Sequence, residues 1–289
     1  MTYFLMSLTF QNSYSQSAQA EEIPLSDSAF IRLRYDENGN MKSLDTSLVT
    51  FVSADGTQRV TLIGAIHIAE RRYYKKLNEI FTNYDAVLFE MVSDGDPRPV
   101  SSRDAGGFIS SLQRLGGTLM DLDYQIGSIN YHAENFVHAD MTGMEFNAAK
   151  RRRGDGFLVW FLRSYGYALA VSADDNTSDS DSESLNSDLE ILKLLFLPKK
   201  SRTFRRLNAP GMVNLKSTTI PVEGRDGSTL LRDRNTKALK VLREQLDSGK
   251  KNVAIFYGAA HLPDFSHRLQ TDFGMKPEKI TWVPCWKLD

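Results

Sequence analysis

The chain has 289 residues, 41% apolar and 25% charged, and its 36 acidic and 35 basic residues leave a formal charge of −1. That length gives one large domain or two small ones with a proper core, and the charge balance excludes a net-basic nucleic-acid-binding domain. The lone Cys285 excludes a disulfide framework and a cysteine-only zinc site, and no uninterrupted apolar run reaches the roughly 18 residues of a membrane span.

Residues 1–21 read as lying outside the folded domain. An apolar start (MTYFLMSLTF) leads into a polar stretch ending Ala18-Gln19-Ala20. An A-x-A ending after a short apolar run is how a secretory signal closes. A basic start is missing, so a disordered tail is the equal alternative. The signal reading implies export to a periplasm or the exterior; the tail reading leaves the chain in the cytoplasm.

Residues 22–289 read as a single domain. Segments 30–35 and 48–53 have strand composition, and Ala54-Asp55-Gly56 predicts a turn into a strand at 60–63, so 48–63 forms a hairpin. Over 70–81, Tyr73, Leu77, Ile80 and Phe81 recur at helical spacing. A buried strand follows at 86–91. The middle of the chain, 101–197, reads as mostly helical, with an apolar helix at 157–171 too short to cross a bilayer. The serine-rich acidic run at 172–188 (SADDNTSDSDSESLNSD) reads as a disordered loop, preceded by a basic run at 150–153. A helix at 229–245, a strand at 253–256, a helix at 263–273 and a strand at 279–283 complete the chain.

The informative feature is a repeat. Val60-Thr-Leu-Ile-Gly64-Ala-Ile-His67 and Val253-Ala-Ile-Phe-Tyr-Gly258-Ala-Ala-His261 are both apolar strands running into Gly-Ala-x-His. Each leads through a helix to another apolar strand, and His67 to Asp85 spans the same 18 residues as His261 to Lys279. Two β–GxxH–α–β units imply an α/β fold with a pseudo-symmetric core. In such sheets ligands sit beyond the carboxyl ends of the strands. The glycine permits a positive φ or a close backbone approach where the chain leaves the sheet. His67 and His261 would then face a shared cleft, which suits metal binding or acid–base work. Glu90 ends the strand Ala86-Val-Leu-Phe89, where a carboxylate is costly unless it is paired or ligating. The corresponding position of the second unit is Pro284, so one carboxylate serves both halves.

The paired Gly64-Ala-Ile-His67 and Gly258-Ala-Ala-His261, the Glu90 strand, and Arg234-Asn235 at the head of the penultimate helix resemble the TraB/PrgY–GumN–Tiki family, within the superfamily of ChaN-like haem-binding proteins and erythromycin esterases. The family's Glu-Arg-Asn is Asp233-Arg234-Asn235 here. The resemblance covers roughly 47–289 and implies two related halves with the site between them. It implies a metal-dependent hydrolase acting on a peptide or protein. His67, Glu90 and His261 would hold a divalent metal ion, with Arg234 as the cation that meets substrate or oxyanion. Two alternatives follow from the superfamily: a non-catalytic haem-, iron- or peptide-binding protein, and a metal-independent esterase-like hydrolase with His67 as general base and Glu90 assisting.

Around 130–140, His138 and Asp140 are secondary candidates for the cleft, and Tyr131 and Asp140 for positioning substrate. His267 reads as a surface residue and Cys285 as a buried small hydrophobe. Glu70 reads as a charge at the start of a helix. The sequence has no H-E-x-x-H, no G-x-S-x-G and no P-loop or dinucleotide glycine pattern, which disfavours zincin, serine-hydrolase and nucleotide chemistry.

Overall fold

A computed structural model describes Leu25 and residues 29–93, 122–153, 201–213 and 229–289. The readings made for 1–21, 157–171 and 172–188 lie outside them. The fold is α/β, built on a mixed sheet of seven strands among the described residues. No described helix is long and apolar enough to cross a membrane.

Strand β1 (Ile31–Tyr35) pairs antiparallel with β2 (Met41–Val52), which forms a hairpin with β3 (Arg59–Ala65), Leu48 lying opposite Ile63. Gly56, at φ +72°, makes that turn as the sequence requires. The polar run Ser43–Ser47 forms the buried first half of β2 because Asp45 is met by Arg32 and by the Ser43 hydroxyl. Two-residue β4 (Ile68–Ala69) leads into α1 (Arg71–Phe81), which buries Tyr73, Tyr74, Leu77 and Phe81. Glu70 precedes this helix without capping it. Its carboxylate takes Arg205, Arg72 and the Lys287 backbone N–H instead.

Next come β5 (Ala86–Phe89), β6 (Asp123–Tyr124) paired with β4, the single turn α2 (Gln125–Ser128), β7 (Phe136–His138), α3 (Gly143–Arg153) and α4 (Ser201–Val213). The middle expected to be mostly helical is thus mixed wherever it is described. A π-turn over Thr229–Asp233 opens into α5 (Arg234–Asp247). Strand β8 (Asn252–Gly258) passes through a short 3-10 turn into α6 (Leu262–Thr271), and β9 (Lys276–Lys287) closes the chain against β2.

One relation positions the site. Strands β3, β8, β5 and β7 are consecutive and all parallel. The two motif strands are direct neighbours, with Ala65 opposite Gly258. The two units continue differently. From β3, α1 leads to β5 on the other side of β8; from β8, α6 leads to β9, beyond β2. The core fills both faces of this parallel block with Val60, Leu62, Ile63, Val87, Leu88, Val253, Ile255 and Phe256, all fully buried. Each such side chain contributes about 1.5–3 kcal/mol of transfer free energy.

Candidate active site

Four parallel strands deliver four polar groups to one end of the sheet: His67 after β3, His261 after β8, Glu90 after β5 and Asp140 after β7. The head of α5 lies over them and contributes Arg234 and Asn235, both buried.

Glu90 is the hub. Its Oε2 accepts the Gly258 backbone N–H at 2.7 Å, and its Oε1 lies 2.7 Å from Arg234 Nη2. His261 Nε2 faces the same Oε1 at 3.6 Å. Burial alone would raise the Glu90 pKa. The charge of Arg234, then His261 and His67, and the Gly258 N–H reverse this and hold it well below the usual carboxylate range. Gly258 has φ −48°, so close approach, not positive φ, explains this glycine. A Cβ there would stand 3.3 Å from Glu90 Oε2. At Gly64 a Cβ would likewise stand 3.3 Å from Leu262 Cδ1.

His261 is buried and has a fixed tautomer. Asn235 Nδ2 donates to the His261 carbonyl at 3.2 Å and to Asp264 Oδ2 at 2.7 Å. Those two acceptors turn the amide oxygen of Asn235 toward His261 Nδ1, 2.6 Å away, so Nδ1 carries the proton and Nε2 the lone pair. Burial lowers the His261 pKa to about 4 against the opposing pull of Glu90. The imidazole is therefore neutral at pH 7.

His67 occupies the exposed mouth. Gln125 holds it twice, with its backbone N–H on the His67 carbonyl at 3.0 Å and its side-chain oxygen 3.1 Å from Nδ1. Gln125 Nε2 donates in turn to Tyr131 Oη at 2.9 Å. Both motif histidines thus meet an amide oxygen at Nδ1.

Arg234 does not stand open as a substrate cation. Its Nε donates to Asp140 Oδ1 at 2.9 Å, and its Nη2 bridges Asp140 Oδ2 and Glu90 Oε1. Its pKa stays above the ordinary arginine value because Glu90 and Asp140 outweigh the burial penalty. In this arrangement Arg234 is buried counter-charge for two carboxylates.

Asp140 is the residue the sequence undervalued. It ends a strand, as Glu90 does, but β7 is three half-buried residues long and shows no apolar run. The Tyr257 hydroxyl donates to the Ala139 carbonyl and fixes the chain beside it. His138 turns elsewhere, with Nε2 2.6 Å from the Met91 carbonyl, and joins the end of β5 to β7. Tyr131 is buried against Phe89, His267 is exposed, and Cys285 is fully buried.

Among the described residues, no three His, Cys, Asp or Glu side chains are placed to hold one metal ion. Glu90 and His261 do present two potential ligand atoms of opposite character, an ionised oxygen, which Arg234 also meets, and a neutral nitrogen. Ligands of one ion at about 2.0–2.2 Å lie 3–4 Å from each other, which their 3.6 Å separation matches.

No family model, curated protein or solved structure matches the chain.

Proposed function

We propose that the protein is a metal-dependent hydrolase that cleaves an acyl bond, in a peptide or protein, at the Glu90–His261 pair. The observation that carries this is the meeting of two buried lone-pair donors, neutral His261 Nε2 and ionised Glu90 Oε1, 3.6 Å apart. Neither supplies a proton to the other, so the pair suits a shared cation beside the one Arg234 already supplies. Glu90 and His261 would hold a divalent ion, while His67, which is not placed among the described residues to share it with them, would act from the mouth. When bound, such an ion lowers the pKa of a coordinated water and polarises a carbonyl.

The chain's own groups prepare that site. Arg234, anchored by Asp140, keeps Glu90 ionised. The Gly258 N–H fixes the carboxylate plane. Asn235 sets the His261 tautomer, as outer hydrogen-bond partners do at metal sites. Gln125 orients His67 at the mouth, where substrate arrives from solvent.

A second reading has one observation in its favour. The Arg234 guanidinium already lies 2.7 Å from Glu90 Oε1 and supplies positive charge to that oxygen. In that reading His67 takes the proton from water and no metal is needed. Hydrolysis of a mixed peptide library, with and without chelator, separates the two. Chelator-sensitive cleavage lost in Glu90→Gln and His261→Ala supports the metal reading. Chelator-insensitive cleavage lost in His67→Ala supports the second. No cleavage of peptides or simple esters under either condition overturns both.

A further inference from the structure

We propose that the cleft between β1, β2, α1 and β9 binds a compact polyanion of the di- or triphosphate class. The cleft has a volume of about 310 Å³ and is lined by Arg34, Lys42, Arg72, Lys76 and Lys287, with Asp289 as the acidic member of its lining. None of these residues belongs to β5, β7 or β8, which carry the hydrolytic centre, so this site is independent of the function proposed above.

Charge accounting shows why the five cations are not spent on each other's surroundings. Asp45 lies 3.3 Å from Arg32 and 3.7 Å from Arg34, so one carboxylate serves two guanidinium groups. Glu70 likewise serves Arg205 and Arg72, and it also accepts the Lys287 N–H. Lys76 meets Glu79 at 3.4 Å and Lys287 meets Asp289 at 3.5 Å, both solvent-exposed pairs of little strength. Five cations and one acid line the cleft, and the acids that reach those cations from outside the lining, Asp36, Asp45, Glu70 and Glu79, are shared with other groups or solvent-exposed, in a chain whose formal charge is −1.

An excess of positive charge in a small cleft calls for dense negative charge. A phosphate chain supplies it, with oxygens that both lysine and arginine recognise. The lining offers no exposed ring for a base to stack on. Tyr73 is buried and donates its hydroxyl to the Gly64 carbonyl. Recognition therefore rests on the phosphates.

Titration calorimetry of the full chain with tripolyphosphate tests this. At about 50 mM salt, saturable one-to-one binding is expected, weakening steeply toward about 500 mM because the contacts are screened charges. The double variant Lys42→Glu/Lys76→Glu should lose about tenfold or more in affinity, while the neutral Lys42→Met/Lys76→Gln loses less. A control variant, Lys240→Glu/Lys250→Glu, changes exposed lysines outside the cleft and should bind as the parent does. Hydrolytic activity and the circular dichroism spectrum should stay unchanged in all three. Equal affinity for ATP and tripolyphosphate assigns recognition to the phosphates alone; a tenfold preference for ATP assigns a nucleotide whose phosphates occupy the same lysines. Absence of saturable binding, full affinity in the cleft variant, or equal loss in the control overturns the proposal.

Discussion

Glu90 and His261 are each held in the protonation state that burial and neighbours select, and the consequences are measurable. In the metal-free protein, burial holds His261 down at about 4 while Glu90 and Asp140 pull it up and Arg234 and His67 push it further down. An unfolded histidine titrates near 6.5. Between pH 6.5 and 4 the unfolded chain therefore takes up a proton that the folded chain refuses. This contribution is complete above 6.5 and lost as pH falls to 4, for about 3 kcal/mol in all. Glu90 acts in the same direction at lower pH, since its ionised form is favoured in the fold. Urea midpoints measured against pH should fall through this window in the parent and flatten above pH 4.5 in His261→Gln. A variant that keeps the full slope would place the titration elsewhere. Arg234 carries the opposite charge for two carboxylates, so Arg234→Ala leaves both buried and uncompensated, at a cost of about 3–5 kcal/mol in thermal or denaturant unfolding. Arg234→Lys keeps the charge without the two-point bond to Asp140 and should cost less.

The two motif glycines are separable. In Gly258→Ala the new Cβ meets Glu90 Oε2 at 3.3 Å, so the carboxylate must shift by tenths of an ångström. Hydrolysis should fall about tenfold or more while stability changes by less than about 1 kcal/mol. In Gly64→Ala the neighbour is a Leu262 methyl, a flexible side-chain end, so the effect should appear in stability with activity retained. Paired unfolding and activity measurements on the two variants check this.

Among the elements, α5 organises the site: its first two residues bind Asp140, Glu90 and His261 while Ala238, Leu239, Leu242 and Leu246 anchor it in the core. Shortening that apolar face with Leu242→Ala should cost about 2–5 kcal/mol and loosen the site with the fold. How far the sequence revealed the elements follows from their patterning. The hairpin, α1, β5, β8 and α6 were readable from apolar runs, turn residues and helical spacing. Strand β9 was read as five residues where twelve form it, because its first half is exposed and Pro277 and Pro284 argue against a strand interior. Among the described residues β9 pairs with β2 alone, which makes it an edge where proline is tolerated. The first half of β2 was hidden for the reverse reason, since Ser43, Asp45, Thr46 and Ser47 are polar yet buried. His67, Glu90 and His261 were legible because strand ends expose chemistry in parallel sheets. The weight of Asp140 and the partnering of Arg234 were not, because they arise from α5 packing over the parallel strands at β5 and β8, a long-range contact that no local spacing announces.

For the whole molecule, the near-zero net charge conceals strong local separation. One end of the parallel block gathers Glu90 and Asp140 around Arg234, and the cleft beside α1 gathers surplus cations. The adjacency of β3 and β8 explains why two motifs nearly two hundred residues distant on the chain serve one place. What joins these observations is the claim that Glu90 and His261 share a cation. The most direct check is metal content per chain after the purified, chelator-stripped protein is incubated with manganese, zinc or cobalt and desalted. The account predicts close to one ion per parent chain for at least one of these metals, and loss of that ion in Glu90→Gln and in His261→Ala while both variants remain folded. No retained metal in the parent, or equal metal in the parent and both variants, would contradict it.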